Sequence, residues 1–295
     1  RCGPCAESDG RRAVSIGIKR SGAMSKIAFI FPGQGAQVCG MGQDFYEQTE
    51  TGRKVFDTAS EILGFSMPEL CFEKNDRLDI TEYTQPAMVT ASLAMMKVLM
   101  EQTGIKPDAA AGLSLGEYPA MAAAGVMSEE DAIRTVRERG ILMQEAVPAG
   151  IGAMAAVLAM DVEEIEKVIA PIEGVQIANY NCPGQIVISG KKEAVDEAAE
   201  KLKEAGAKRV IPLNVSGPFH SKMLTEAGEK LGKVLDTVEI HKPAIPYAAN
   251  VTAEYVTEAE DVKPLLERQV SSSVRWEQTM RMMLADGVDT FIEIG

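Results

Sequence analysis

Hydrophobic residues follow two kinds of spacing along this chain. Short continuous apolar runs, such as the one over 27–31, are typical of strands buried on both faces. Other segments carry apolar residues at helical spacing, and these predict helices over about 43–63, 85–102, 115–124, 128–146, 222–235, 262–270 and 276–285, with a last strand over 288–294. Strands that alternate with helices in this way predict a fold of the α/β class.

The middle of the chain has a different order of elements. Beyond the Pro-Ala-Gly sequence at 148–150, the pattern predicts strand 152–159, helix 161–170, strands 175–180 and 185–189, helix 191–205 and strand 208–215. This βαββαβ order is that of a ferredoxin-like subdomain. We therefore predict a larger, discontinuous domain over 25–148 and 216–295, with a ferredoxin-like insertion over 149–215.

Residues 1–24 differ in character from the rest of the chain. They mix Gly, Ser, Arg and Lys without periodicity, which predicts a disordered extension. Cys2 and Cys5 have the spacing of a thiol redox motif. A polar run follows them instead of an amphipathic helix, so we assign this pair no function.

The composition is that of a globular protein, with 295 residues of which 46% are hydrophobic and 25% charged. The formal net charge of −13 argues against nucleic-acid binding, and no apolar run approaches the ~20 residues that a membrane span needs. Five cysteines without framework spacing suit a reducing compartment. We therefore expect a cytoplasmic protein that binds neither nucleic acid nor a membrane.

The stretch from Gly112 to Gly116 matches G-x-S-x-G, the pattern of a nucleophile elbow. In such an elbow the serine, here Ser114, lies on a sharp turn between a strand and a helix, and the flanking glycines allow that turn. The turn exposes the hydroxyl and points backbone amides at it, which can stabilise the oxyanion of an acyl-transfer reaction. The same pattern also occurs in turns that only pack a helix on a strand.

A serine needs a neighbouring base to become a good nucleophile, and the chain has two histidines. His220 follows a Gly-Pro turn and begins a predicted helix, where loops commonly carry catalytic groups. His241 leads into an extended run and suits a surface or capping role. We therefore predict that His220 is the base for Ser114, while no aspartate stands out as the third member of a triad.

Arg139 lies close to the apolar side of the helix predicted over 128–146. A guanidinium that approaches a buried face needs an anionic partner, because burying an unpaired charge is costly. The sequence leaves two alternatives for that partner: a structural salt bridge, or an anionic substrate.

Five motifs in this chain occur in the order found in the malonyl-CoA:acyl carrier protein transacylases. They are FPGQGAQ at 31–37, GLSLGE at 112–117, RG with MQ over 139–144, NYNCPGQ at 179–185 and GPFH at 217–220. The chain resembles this family over 25–295, which implies an α/β-hydrolase-like core with a ferredoxin-like insertion. It also implies malonyl-CoA as the substrate and an acyl carrier protein as the partner, without a cofactor or a metal. We expect a monomer.

The resemblance implies roles for the residues around the elbow. Ser114 resembles the acylated nucleophile, and His220 resembles its base. In the family a backbone carbonyl orients this histidine where a triad would have aspartate, and the residue in that position looks like Gln269. The backbone amides of Gln34 and Leu115 would form the oxyanion hole.

Three further residues are expected to contact the substrate. Arg139 would form a bidentate pair with the free carboxylate of the malonyl group, a geometry that suits a guanidinium. Asn181 would lie near the CoA or pantetheine side of the cleft. Phe219 resembles the malonyl-selective version of its loop, so we hypothesise a preference for malonyl over methylmalonyl groups.

The chain departs from the family pattern at three places. Leu113 stands where the family often has histidine, and we expect this to change packing or rate while activity survives. The sequence ends at Gly295, where relatives continue for a short segment, which suggests a less stable chain. The N-terminal extension has no counterpart in the family.

Other functions stay open at this point. An acyltransferase of a polyketide pathway would use the same residues. A serine esterase for neutral acyl groups is disfavoured by Arg139, and a non-catalytic carrier-protein scaffold would require an inert Ser114. Because CoA, carrier proteins and this chain are all acidic, docking needs a basic rim, for which the candidates are Lys191, Lys192, Lys208, Arg209 and Lys222.

Overall fold

Two β-sheets organise the chain, and the largest hydrophobic core takes residues from both of them. The computed structural model describes residues 25–148, 150–215 and 217–295. The predictions for residues 1–24, including the one for Cys2 and Cys5, lie outside the described residues. Strands and helices together form a mixed α/β fold, which confirms the predicted class.

The first part of the chain contains strand β1 (Ile27–Phe31), helices α1 (Gln43–Gln48), α2 (Glu50–Leu63), α3 (Met67–Phe72) and α4 (Thr81–Thr103), strand β2 (Ala109–Gly112), and helices α5 (Glu117–Ala123) and α6 (Glu129–Glu145). The middle part contains β3 (Gly152–Leu158), α7 (Val162–Ile169), β4 (Val175–Cys182), β5 (Gln185–Lys191), α8 (Lys192–Glu204) and β6 (Arg209–Pro212). The last part contains α9 (Thr225–Leu235), β7 (Tyr247–Ala249), β8 (Glu254–Val256), α10 (Ala259–Gln269), α11 (Trp276–Ala285) and β9 (Thr290–Glu293). Within these ranges no helix combines the length and the apolar character needed to cross a membrane.

The single helix predicted over 43–63 is two helices, because Thr49 interrupts it. Thr49 has an extended backbone (φ −133°, ψ 139°), and its hydroxyl accepts a hydrogen bond from the amide of Gly52. This is the geometry of an N-cap, which satisfies one of the free amides at the start of α2. The hydrophobic spacing continues across the break, so it did not reveal the cap.

Helix α4 begins about one turn earlier than predicted, at Thr81. Pro86 lies in its second turn and has no amide to donate to Glu82 O. Arg137 Nη1 donates to that carbonyl instead, at 2.6 Å, so a side chain from α6 replaces the missing helical bond. The helix can therefore continue through the proline.

The larger sheet has the strand order β8-β7-β2-β1-β9. Strand β1 pairs in parallel with β2 and β9, and β2 pairs in parallel with β7; β8 is antiparallel to β7. Strand β2 consists of small residues because apolar clusters pack on both of its faces. Ala110 belongs to the large core, whereas Ala109 and Ala111 contact the cluster that contains Met283 of α11.

The smaller sheet has the strand order β4-β5-β3-β6, and all of its pairs are antiparallel. Alternate residues of β3 point to opposite faces of this sheet. Ala155 and Val157 belong to the cluster formed with α7 and α8, whereas Met154 and Ala156 belong to the large core. The smaller sheet is thus covered by its own helices on one face and by the larger part of the protein on the other.

We predict that Gly112→Ala destabilises the fold by about 3 kcal/mol. A Cβ at residue 112 would lie 1.8 Å from Gly116 O, a backbone atom that cannot move away without opening the turn. Urea unfolding of the purified variant measures the loss.

Gly217→Ala is the matched control for this measurement. A Cβ there would meet its nearest neighbour, Phe219 Cε1, at 3.6 Å, which is ordinary van der Waals contact. We expect its stability to stay within about 0.5 kcal/mol of the wild type. A Gly112→Ala variant as stable as this control would contradict the close approach of the two backbone segments.

Candidate active site

Ser114 lies on a sharp turn between β2 and α5. Its φ is 52°, in the left-handed region that residues other than glycine rarely adopt. Residues 114–116 form a 3-10 turn. Helix α5 therefore begins at Glu117, whereas the sequence predicted a start at residue 115. A Cβ on Gly116 would lie 2.3 Å from Phe31 O, so only glycine fits there. This is the backbone geometry expected of a nucleophile elbow.

Asn250, which directly follows β7, stabilises this turn through two side-chain hydrogen bonds. Its Oδ1 accepts a hydrogen bond from Ser114 N at 2.6 Å, and its Nδ2 donates to Gly112 O at 2.7 Å. These two bonds fix the backbone at Ser114 and at Gly112. Because β7 is the parallel neighbour of β2, the residue after β7 reaches the end of β2. The amide of Ser114 is occupied by this contact.

His220, the base proposed from the sequence, lies within hydrogen-bond distance of Ser114. The distance from Ser114 Oγ to His220 Nε2 is 2.7 Å, and Nδ1 of the same ring lies 2.8 Å from Gln269 O. A carbonyl can only accept, so Nδ1 carries the proton and Nε2 of the neutral ring accepts from the serine hydroxyl. His220 also has a positive φ, 57°, and Gln176 Nε2 donates to its carbonyl at 2.9 Å.

The ring of His220 is buried, with 3% of the residue exposed. Burial lowers the pKa of His220 to about 4, and the positive charge of Arg139 acts in the same direction. Hydrogen bonds to the backbone of Gln269 and Ser272 oppose this shift only in part. At neutral pH the ring is therefore uncharged and able to accept a proton.

Arg139 is fully buried, with 1% exposed, and its guanidinium lies next to the serine. Nη1 donates to Gln85 Oε1 at 2.9 Å, and Nη2 donates to Gln269 Oε1 at 2.9 Å and to Ser114 Oγ at 3.3 Å. Nε has no partner within the described part of the chain. The three oxygens that accept hydrogen bonds from the guanidinium are thus all uncharged.

A structural salt bridge was one of the two alternatives for Arg139. The ion pairs found within 25–148, 150–215 and 217–295 do not include it. The charge of Glu117 acts on Arg139, and Gln269 forms a hydrogen bond to each of the two groups. Burial lowers the pKa of Arg139 from its ordinary value. A direct structural salt bridge is therefore absent among these residues, and an anionic ligand stays a prediction.

A cavity of about 600 Å³ opens beside these groups and is lined by residues of both sheets and their loops. Ser114, His220 and Arg139 line it, and so do three other residues predicted for the site: Gln34, Asn181 and Phe219. Asn181 Oδ1 is buried and has no hydrogen-bond partner among the described residues, so a ligand in the cavity can use it. Within the same residues no cluster of side chains could hold a metal ion.

The remaining predicted positions lie next to the cavity. The side chain of Leu115 is buried in the core, which leaves its backbone amide at the first position after the nucleophile. Leu113 lines the cavity and packs over Gly33, where a Cβ would lie 2.6 Å from Leu113 Cδ2. The expected effect of Leu113 on rate stays a prediction.

Sequence reasoning missed the polar residues that hold the site together. Gln85, Gln176 and Asn250 each bond to the nucleophile, the histidine or the arginine from a distant part of the chain. Single glutamines and asparagines have no characteristic spacing. The only available signal was position, since Asn250 follows a buried strand at the edge where active-site groups collect.

Comparison with protein families assigns the chain to a known class. The model of the acyl transferase domain matches residues 28–295, so the protein is an acyltransferase. A malonyl CoA-acyl carrier protein transacylase from Bacillus subtilis (strain 168) is 51% identical over 277 residues, which cover 92% of this chain and 87% of the relative. The chain belongs to the malonyl CoA-acyl carrier protein transacylase family, which is the family that its motifs resemble.

Solved structures agree with this assignment. An acyl carrier protein S-malonyltransferase from Vibrio cholerae O1 biovar eltor has a TM-score of 0.89 and 42% identity, and the match covers 92% of this chain and 90% of that one. A malonyl-transacylase in complex with the acyl carrier protein of a type II polyketide synthase has a TM-score of 0.89 and 40% identity, and this match covers 92% and 89%.

We predict that acylation of Ser114 loses activity in acid with a midpoint near pH 4, well below the ordinary histidine pKa of 6.5. The reaction needs neutral His220, and the lowered pKa keeps the ring neutral as the pH falls. The measurement is kcat/KM for acylation by an acyl-CoA without a free carboxyl, so that no substrate acyl group titrates in the same range. A midpoint near 6.5 would contradict the buried geometry.

Stability is the control for this pH series. Between pH 6.5 and 4 the unfolded chain binds a proton on His220 that the folded chain does not bind. The His220 contribution therefore makes folding less favourable as the pH falls through this window, whereas the raised pKa of Glu117, about 7, acts in the opposite direction. Circular dichroism at each pH separates loss of the base from loss of the fold.

Proposed function

We propose that this protein transfers the malonyl group of malonyl-CoA to the phosphopantetheine thiol of an acyl carrier protein, which supplies fatty-acid chain extension. One observation carries the proposal: the buried guanidinium of Arg139 lies 3.3 Å from Ser114 Oγ and has only neutral partners. An acyl group with a free carboxylate supplies the missing negative charge. The names of the relatives from Bacillus subtilis and Vibrio cholerae support the same reaction.

The reaction runs in two half-reactions. Ser114 Oγ attacks the thioester carbonyl of malonyl-CoA while His220 Nε2 accepts the hydroxyl proton. The backbone amides of Gln34 and Leu115 bind the oxyanion of the tetrahedral intermediate. His220 then protonates the departing CoA sulfur, which leaves malonyl-Ser114. In the second half-reaction the carrier thiol gives its proton to His220 and takes the malonyl group, and Ser114 regains a proton.

Arg139 has the donors that the malonyl carboxylate needs. A guanidinium has five N–H groups, and three hydrogen bonds of Arg139 go to Gln85, Gln269 and Ser114. The other two N–H groups, on Nε and Nη1, lie on different edges of the guanidinium, so a bidentate carboxylate would bind Nε and Nη2 and displace one of the present Nη2 partners. Asn181 binds the CoA or pantetheine side, since its buried Oδ1 has no partner in the described part of the chain.

A second candidate function is malonyl supply to the carrier protein of a polyketide pathway. The malonyl-transacylase solved with the carrier protein of a type II polyketide synthase supports it, at 40% identity and a TM-score of 0.89. The acyl chemistry is the same, so only the identity of the carrier separates the two candidates. An esterase for neutral acyl groups is disfavoured because it would bury Arg139 without an anion.

Carrier docking requires cationic groups, and we propose Lys191 and Lys222 for this role. Both line a groove of about 330 Å³ that also contains Ser221, the residue next to the catalytic histidine. Lys192 is less available because it pairs with Asp196. Lys208 and Arg209 stay candidates from the sequence alone.

We also propose the finer description of the fold. The strand order of the smaller sheet, together with its βαββαβ element order, supports a ferredoxin-like subdomain over 149–215. The elbow at the end of a parallel strand supports an α/β-hydrolase-like core over 25–148 and 216–295. A monomer in the cytoplasm, without cofactor, remains our expectation for the active form.

We predict that Arg139→Ala lowers kcat/KM for malonyl transfer by about a hundredfold, while the rate with acetyl-CoA falls much less or rises. The variant loses a buried hydrogen-bonded charge pair with the substrate, worth about 3 kcal/mol. The assay measures transfer from each acyl-CoA to a holo acyl carrier protein. An unchanged ratio of malonyl to acetyl rates would show that Arg139 does not bind the acyl carboxylate.

Arg134→Ala is the matched control for this variant. Arg134 lies on the same helix, is exposed, and pairs with Asp131 at the surface. We expect its rates with both acyl-CoA substrates to equal those of the wild type.

We predict that Phe219→Ser raises the rate with methylmalonyl-CoA relative to malonyl-CoA by about tenfold. Phe219 is 7% exposed and lines the cavity beside Ser114, so it excludes the additional methyl branch. One methyl group in a closed apolar pocket contributes a discrimination of this size. If the wild type already accepts both acyl groups at equal rates, the hypothesis about Phe219 is wrong.

A further inference from the structure

Glu117 is a buried carboxyl that the proposed mechanism does not use. It is 1% exposed and begins α5, three residues after the nucleophile. Burial raises its pKa to about 7, against the opposing effects of hydrogen bonds from Gln269 and Asn250 and of the charge of Arg139. Burial of a carboxyl costs free energy unless the group is hydrogen-bonded, so its hydrogen bonds indicate its role.

One oxygen of this carboxyl receives two hydrogen bonds from distant parts of the chain. Glu117 Oε2 accepts from Gln269 Nε2 at 2.8 Å and from Asn250 N at 3.1 Å. Asn250 in turn accepts from Ser114 N, and Gln269 Nε2 also donates to Ser114 O at 2.9 Å. Both backbone groups of the nucleophile are therefore held by residues that are themselves held by Glu117.

The other atoms of Gln269 contact the rest of the machinery. Its side-chain Oε1 accepts from Arg139 Nη2, and its backbone oxygen accepts from His220 Nδ1. The amide of Gln269 has to present its oxygen to the guanidinium and its NH₂ group to Glu117 and Ser114. If that amide rotated, it would turn two donors toward Arg139, which has only donors.

We propose that Glu117 is a positioning residue for the recognition of the acyl carboxylate: its Oε2 anchors the Gln269 amide, and Gln269 holds the Arg139 guanidinium beside Ser114. Because this inference assigns Arg139 to the acyl carboxylate, it rests on the proposed function. The role needs an oxygen acceptor at residue 117, which a glutamine also provides. Asn250 N orients that glutamine, since it must bond to the oxygen.

The test uses two variants that differ only in this acceptor. Glu117→Met fills a similar volume without an acceptor, and Glu117→Gln keeps the acceptor without the charge. We expect Glu117→Met to lower the ratio of kcat/KM for malonyl-CoA to that for acetyl-CoA by about tenfold, the effect of one hydrogen bond to a buried polar group. Glu117→Gln keeps this ratio within about threefold of the wild type.

A double-mutant cycle then tests whether Glu117 acts through Gln269. The same ratio is measured for Gln269→Met alone and together with Glu117→Met. We expect the second substitution to cause no further change in the Gln269→Met background, because the link is already broken. Additive effects would overturn the proposal, and so would a Glu117→Gln variant as impaired as Glu117→Met.

Thr135→Val is the control for loss of a buried polar atom. Thr135 lies on α6, one turn before Arg139, and its hydroxyl has no partner among the described residues. We expect its ratio to equal that of the wild type. Equal losses with both acyl substrates in Glu117→Met, together with a lower Tm, would mean a purely structural role and would also overturn the proposal. A wild type without malonyl preference would instead refute the proposed function.

Discussion

The active site depends on one buried positive charge, the guanidinium of Arg139. Removal of such an ion from water costs several kcal/mol, and a nearby carboxylate would normally compensate it. Here the direct partners are the side-chain oxygens of Gln85 and Gln269, which satisfy N–H groups but supply no negative charge. Its charge is therefore balanced only indirectly, by Glu117 beyond Gln269, and we propose that the malonyl carboxylate is the anion that pairs with it beside Ser114.

The same charge affects the base. Burial and the field of Arg139 together lower the pKa of His220, so the ring is uncharged at neutral pH. A carboxylate in contact with Nδ1 would raise that pKa, and a backbone carbonyl of Gln269 occupies the position instead. In the proposed mechanism, one cation thus favours a carboxylated acyl group and keeps the general base unprotonated. Gln269 connects the two effects because its backbone contacts the histidine and its side chain contacts the arginine.

The sequence predicted the reactive groups better than their supports. Ser114 could be found because the elbow has a fixed five-residue pattern, and His220 because the chain has only two histidines. Arg139 could be placed near the core because helical periodicity assigns each residue to a face. Asn250 and Gln85 could not be found in this way. Each is a single amide residue whose partner lies more than fifty positions away in the sequence, so their contact exists only in the folded chain.

Two of the errors in the predicted elements have local causes. Thr49 divides the first long helix by capping α2, and Pro86 is tolerated inside α4 because Arg137 replaces a missing bond. Neither cause changes the hydrophobic spacing from which the helices were predicted. Both depend on a hydrogen bond that is visible only in three dimensions.

We expect that a buried guanidinium without a direct ion pair makes Ser114 select acyl groups with a free carboxylate. The most direct measurement is intact mass spectrometry of the wild-type protein after brief incubation with equal concentrations of malonyl-CoA and acetyl-CoA. We predict a single adduct with the mass of one malonyl group, located on Ser114 and absent from Ser114→Ala. Equal amounts of malonyl and acetyl adducts, or an adduct that survives in Ser114→Ala, would contradict it.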